Sequence, residues 1–590
     1  MRPVIGIDLG TTHTAVAHAR PEGDGWSAPA LFAIPQLVRP ADVKARPSLP
    51  SHVYLSAPGD LPEGALELPF APGQDFMVGE AARDRGAEIP TRSVGSSKSW
   101  LCHGGADREG DILPPEGLGE DPEIDRISPV EAARRILEHV RRAWDHAHPD
   151  APTADHEVLI TVPASFDVVA RALTTKAAEL AGFAEVTLLE EPQAAFYAWL
   201  SQVQDAFTDQ LSVGDRILVC DVGGGTSDFS LIAVTEDEGG KLQLERVAVG
   251  DHLLLGGDNM DLALGHLLHQ QLAAQGKKLD AAQQRALVAS ARRAKEALLS
   301  DPEPKEQTIT VLGRGRSLFG GKLTVTLTRE AVEQVVLDGF FPVTDKDEMP
   351  QDRKRAGFLE LGLPYASDAA ITRHLARFLA ERADAPPTHL LFNGGVFNAP
   401  ALRRRVIEVL ERWGRHPAVL EGADNDLAVA RGAAWYGAVR AGGGLKIRGG
   451  ASRSYWVGVE VAMPAVPGLP PPMRAICVVP FGMDEGTEAE VAGQTLGLVV
   501  GEPTEFAFFS STRRDEDPVG AVLDEFTWPE HLEPTAPVST TLTAEDLEPG
   551  TVVPVKLHAK LNELGTLELW CQSVDDDRRF RLEFDVRQTD

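Results

Sequence analysis

Cysteine is scarce in these 590 residues: Cys102, Cys220, Cys477 and Cys571 lie far apart, with no CxxC pair. That spacing argues against a disulfide framework and a cysteine zinc site, and suits a reducing cytoplasm. Long apolar runs are missing too. None approaches the roughly 18 residues of a membrane helix, and MRPVIGIDLG lacks the apolar stretch of a signal peptide, so neither insertion nor export is expected. Basic residues are in deficit, 57 Lys and Arg against 88 Asp and Glu. A net charge of -31 with no dense Lys/Arg stripe disfavours nucleic acid and anionic membrane as partners. There is no GxxxxGK[ST] sequence and no GxGxxG after a first strand, which sets aside the P-loop and dinucleotide folds.

What is present is enough apolar material, 43%, to fill two or more domains. Residues 4 to 17 read as two β-prone runs joined by a turn holding Asp8, Gly10, Thr11 and Thr12. Residues 217 to 232 repeat the plan: Ile-Leu-Val-Cys, then Asp221-Val-Gly-Gly-Gly-Thr-Ser-Asp228, then Phe-Ser-Leu-Ile. The repetition predicts two related lobes. Helical spacing over 128–147 and a strand over 158–162 ended by Pro163 place both in an α/β architecture. Past Tyr436 the composition breaks, and the glycine-rich 441–450 reads as a flexible linker. Beyond it the period becomes two: Val555, Leu557, Ala559 and Leu561, a turn over 562–565, Leu567, Leu569 and Cys571, then Phe580, Leu582, Phe584 and Val586. This predicts a small antiparallel β domain over 451–590, with no residues left for a helical tail.

Glycine-rich hairpins can turn backbone amides onto a polyphosphate, and Gly223, Gly224 and Gly225 permit that close approach. Thr11, Thr12 and Thr226 supply hydroxyls, while Asp8, Asp221 and Asp228 are hard oxygen ligands suited to Mg²⁺ or its waters. Either loop alone is compatible with an ordinary hairpin. Two copies with acids at matching places argue for a nucleotide tail.

With IGIDLGTT and DVGGGTSD on the page, the chain resembles the 70-kDa heat-shock chaperones of the DnaK type. Val78-Gly79-Glu80-Ala81-Ala82, Lys98, Ile160-Thr-Val-Pro163 with Arg171, Glu190-Glu191-Pro192, Gly256-Gly257-Asp258, Ala294-Lys295, Gly394-Gly395 and Asp426 follow in the family's order. The resemblance implies an actin-like (ribonuclease H-like) two-lobed ATPase over 1–440, the linker 441–450, and a β-sandwich peptide-binding-like domain over 451–590 without a lid. By position, Lys98 is similar to the family's catalytic lysine and Glu191 to its proton-accepting glutamate, with Asp221 and Thr226 beside them. Gly10, Thr11, Thr12, Gly223, Gly224, Gly225, Gly257, Lys295, Gly394, Gly395 and Asp426 match nucleotide-contacting positions, and Asp8, Asp221 and Asp228 match metal-site acids. The implied cofactors are ATP/ADP and Mg²⁺, with K⁺ as a further candidate. The implied partners are unfolded or extended polypeptide, a J-domain-type co-chaperone and a nucleotide exchange factor.

The pattern departs in places. Where the family carries a serine and an adenine-stacking arginine the chain has Val396 and Asn398, and Arg292 replaces a ribose-binding glutamate. Residues 340–368 have no counterpart and read as a spacer loop, with a partner-binding feature as the alternative. Leu445-Lys-Ile-Arg448 resembles the family's acidic coupling strand poorly, so fast peptide exchange and a small effect of nucleotide on release are expected. The leading expectation is an ATP-driven cytoplasmic chaperone. Its rivals are a nucleotide-sensing scaffold with a dedicated partner and little turnover, and, more weakly, a small-molecule kinase of the same superfamily.

Overall fold

A computed structural model describes the chain apart from residues 24, 104–105, 116–120, 237–241, 301–302, 312–322, 352–364, 383–384, 423–424, 443–446, 449, 452, 462–471, 485, 492–493, 502, 512, 515, 525–527, 529–530, 536–537, 542–547, 549, 562–566, 577 and 583–590. Each of the two expected hairpins opens a sheet. Val4–Leu9 pairs antiparallel with His13–Ala19 and parallel with Glu157–Val162, which pairs parallel with Thr187–Glu190. Arg216–Val222 pairs antiparallel with Ser227–Glu236 and parallel with His389–Asn393, which continues to Ala418–Val419. The first strand of each hairpin is buried on both faces, as a strand covered by helices must be, hence its unbroken apolar run. Both acids lie one residue before the end of their strands beside a parallel neighbour: Asp8 is in register with Thr161 and Asp221 with Asn393. The repeated sequence is therefore a repeated topology, the actin-like pair of lobes.

Small residues set how closely the helices approach these sheets. A Cβ on Gly6 would stand 2.4 Å from the Ala434 nitrogen, and one on Gly432 only 1.7 Å from the Ala194 carbonyl oxygen. The helix Ala428–Gly442 thus lies against the first strand and against the helix Glu191–Val203, which begins at Glu191. This contact fixes the height at which Glu191 enters the cleft.

Past residue 447 every described regular element is a strand. Ser454–Glu460 pairs with Met473–Val479 and Phe508–Ser511 in one sheet, and Thr551–Leu561, Leu567–Ser573 and Arg579–Leu582 form the other. Val555, Leu557, Ala559, Leu561, Leu567, Leu569, Cys571, Phe580 and Leu582 are all buried, as the alternation requires, whereas Phe584, Val586 and the 562–565 turn lie outside the described residues. Tyr455, Val457 and Ile476 of this sandwich share one hydrophobic cluster with Phe166 and Val168 of the first lobe.

The linker departs from the slack segment its glycines suggest. Ala441 and Gly442 finish a helix, residues 443–446 lie outside the described residues, and Ile447–Arg448 adds a parallel strand to Leu242–Val249. Ile447 is buried, and its N–H donates to the Tyr197 hydroxyl at 2.7 Å. An edge strand offers unpaired backbone groups to which another segment can pair. The described part of 340–368 is likewise anchored. Phe340 and Phe341 are buried, Arg405 donates to the Leu337 and Phe341 carbonyls at 3.0 and 2.8 Å, and Trp413 Nε1 donates to Thr344 O at 2.8 Å.

Candidate functional site

The two hairpins meet tip to tip at the floor of a cavity of about 440 Å³ between the lobes. The glycines are there because the tips touch: a Cβ on Gly224 would approach Thr12 Cγ2 to 2.2 Å, and one on Gly225 would approach Thr11 Cγ2 to 2.7 Å. Gly10, Thr11, Thr12, Gly223, Gly224, Thr226, Gly257, Lys295, Gly394, Gly395 and Asp426 all line this cavity, as do Asp8, Lys98, Glu191 and Asp221. Gly225 and Asp228 do not. Gly394 has φ 87°, a left-handed conformation, and a Cβ there would stand 2.3 Å from Val222 O, so only glycine closes this wall.

Two expected contacts change character. Gly257 N–H donates to Gly223 O at 3.0 Å and Asp258 N–H to Gly224 O at 2.7 Å, so the start of the helix Gly257–Ala274 braces the phosphate hairpin. Asp228, expected among the metal acids, accepts a hydrogen bond from Ser165 at 2.8 Å, and His252 Nδ1 lies 3.4 Å from the same oxygen. Its strand position turns it to the interlobe contact behind the cavity. Among the described residues, no group of three or more His, Cys, Asp or Glu side chains is arranged to hold a metal ion by itself.

The floor is short of positive charge. Lys98, 5% exposed, is ion-paired with Glu191, and Asp8 and Asp221 face the same space. Burial pushes Asp8 up to about 7 despite Lys98, with Glu191 adding to the rise. Burial and Glu191 also hold Asp221 well above the carboxylate range. Burial alone would lower Lys98, but Glu191 and Asp8 hold it above its ordinary value. Thr161 donates to Asp8 at 3.1 Å and Asn393 Nδ2 to Asp221 at 2.8 Å, so each acid is oriented by its parallel neighbour. Three carboxylates around one ammonium are a donor set that accepts a divalent cation only together with another ligand's oxygens, such as phosphate.

Glu190 points away. It accepts from Arg171 at 2.7 Å and pairs with Arg246, whose other terminal nitrogen donates to the Gly450 carbonyl oxygen. At the opposite end of the cavity Arg292 holds Asp261 at 2.6 Å and also Asp258, while Lys295 holds Asp261 at 2.7 Å. Asn398 donates to Asp426 at 2.7 Å. Sequence reading missed Thr161, Asn393 and Arg246. Of these only Asn393 carried a local signal, since it ends a strand directly before Gly394-Gly395.

The sequence model of a family described as "Hsp70 protein" matches residues 120–346. The chain is 35% identical over 309 residues to a "Chaperone protein HscA homolog" of Pseudomonas putida, covering 50% of this chain and 42% of that protein. A protein of the same name from Bordetella pertussis is 33% identical over 341 residues, 56% of this chain and 46% of the relative. That from Methylococcus capsulatus is 32% identical over 342 residues, 57% and 46%. The chain spans about half the length of the curated relatives it matches.

Proposed function

We propose that the chain is a member of the 70-kDa heat-shock protein family, that it hydrolyses ATP between the two hairpins, and that it uses the nucleotide state to change the hold of its β-sandwich on extended polypeptide. The observation that carries this reading is the joint placement of Lys98, Glu191, Asp8 and Asp221 on the floor against the glycine tips. In it, Gly10–Thr12 and Gly223–Thr226 cradle the phosphates, and Lys98 stabilises charge on the γ-phosphoryl. Glu191, ion-paired with Lys98, takes the proton of the attacking water. Asp8 and Asp221 would hold Mg²⁺ with phosphate oxygens, and the ion would supply neutralisation of the phosphate charge. Asp228 instead ties the second hairpin to Ser165 across the lobes.

Polypeptide would be held by backbone pairing and apolar pockets of the sandwich. The path from cleft to sandwich runs from Glu191 through its neighbour Glu190 to Arg246 and Gly450. A J-domain-type co-chaperone and an exchange factor are the partners such a cycle takes.

Two results are expected. Asp8→Asn raises the Mg²⁺ concentration at half-saturation of nucleotide binding by about 10- to 100-fold, the usual scale for disturbing a metal's support; an unchanged value in calorimetry removes Asp8 from that role. Steady-state ATP turnover by the full chain rises severalfold when unfolded polypeptide is added. Turnover that ignores a diverse polypeptide set favours the dedicated-partner scaffold. Among the described residues no helix is long and apolar enough to cross a membrane.

A further inference from the structure

The end of the cavity away from the hairpins holds one side chain that the ATPase reading does not use. Glu296 follows Lys295 on the helix Ala281–Ser300 and lines the cavity with Leu299, Val396 and Leu402. Its polar neighbours are committed elsewhere. Arg292 is held by Asp258 and Asp261, and Lys295 by Asp261. Asn398 donates to Asp426, and its oxygen accepts from Asn425 at 3.3 Å. Among the described residues the Glu296 carboxylate has neither a hydrogen bond nor an ion pair. Burial pushes Glu296 up even with Lys295 and Arg292 nearby. An exposed acceptor-only group with no internal partner, on a cavity wall that also presents Leu299, Val396 and Leu402, is arranged for a planar ligand that brings its own N–H donors.

Resting on the reading of this cavity as a nucleotide site, we propose that Glu296 reads the base edge and that the site takes guanine nucleotides as well as ATP. Guanine offers N1–H and the 2-amino group side by side, matching both oxygens of one carboxylate; adenine offers only its 6-amino group. Leu299, Val396 and Leu402 would enclose either purine without preference. Asn398 stands where a stacking cation is absent and is tied to Asp426, so base-edge contact carries the selectivity here.

The test is calorimetric titration of the full chain with MgATP, MgGTP and MgITP, the last lacking the 2-amino group. GTP is expected within about tenfold of ATP in Kd, and about tenfold tighter than ITP, the discrimination of one good bidentate base contact. In Glu296→Gln, one oxygen becomes an N–H₂ facing the 2-amino group, and the ratio of GTP to ATP affinity falls about tenfold. Binding of ATP without GTP overturns the inference and leaves the nucleotide site standing. Binding of none of the three overturns both. Equal losses of ATP and GTP in Glu296→Gln show that Glu296 shapes the pocket rather than reading the base, and also overturn the inference.

Discussion

Lys98→Ala lowers single-turnover ATP hydrolysis by about 100- to 1,000-fold, the range for losing one preorganised charge donor at a transition state, while ADP affinity changes far less. The buried ammonium sits against Glu191 and holds positive character against the burial that opposes it. Its removal leaves Asp8, Asp221 and Glu191 facing one another without a cation of the protein's own. Glu191→Ala has a loss of similar size for a different reason, because the water then has no positioned proton acceptor. The pair separates from a packing effect by its kinetics. Both variants lose kcat with little change in nucleotide Kd, and near-parental single-turnover rates in either one remove that residue from the chemistry.

Arg246→Ala disconnects the cleft from the sandwich. Wild-type Arg246 touches Glu190, next to Glu191 in the chain, and the Gly450 carbonyl just before the sandwich. The variant leaves Glu190 with Arg171 and takes from Gly450 its tie to the second lobe. ATP-triggered acceleration of peptide release then falls about tenfold, within the usual 5- to 150-fold span of allosteric coupling, while ATP hydrolysis without peptide stays within about threefold. Equal acceleration in variant and wild type would mean that the signal travels by another route.

The two hairpins were legible because their chemistry is local: a strand, an acid, glycines and a strand follow one another within residues 4–17 and again within residues 217–232, and the topology reproduces them. The alternation of Val555 to Leu561 was legible for the same reason. The contacts of Asp228 were not legible because its partners come from far away; Ser165 and His252 stand beside it only in the folded chain. Arg246 lies within a strand whose neighbour, Ile447–Arg448, arrives some two hundred residues later, so no window of sequence shows that it bridges anything. Composition misled at the linker, since a glycine-rich stretch reports freedom in the unfolded chain and is silent about the edge strand that captures Ile447. Glu296 looked like any exposed helical glutamate until the helix placed it on the cavity wall.

The central claim is that nucleotide in the interlobe cavity controls the sandwich's hold on extended polypeptide. Stopped-flow release of a labelled apolar peptide from the full chain, prebound in ADP and mixed with ATP or with more ADP, addresses it directly. The account predicts release at least about tenfold faster on ATP; identical release rates in the two nucleotides, with peptide demonstrably bound, would contradict it.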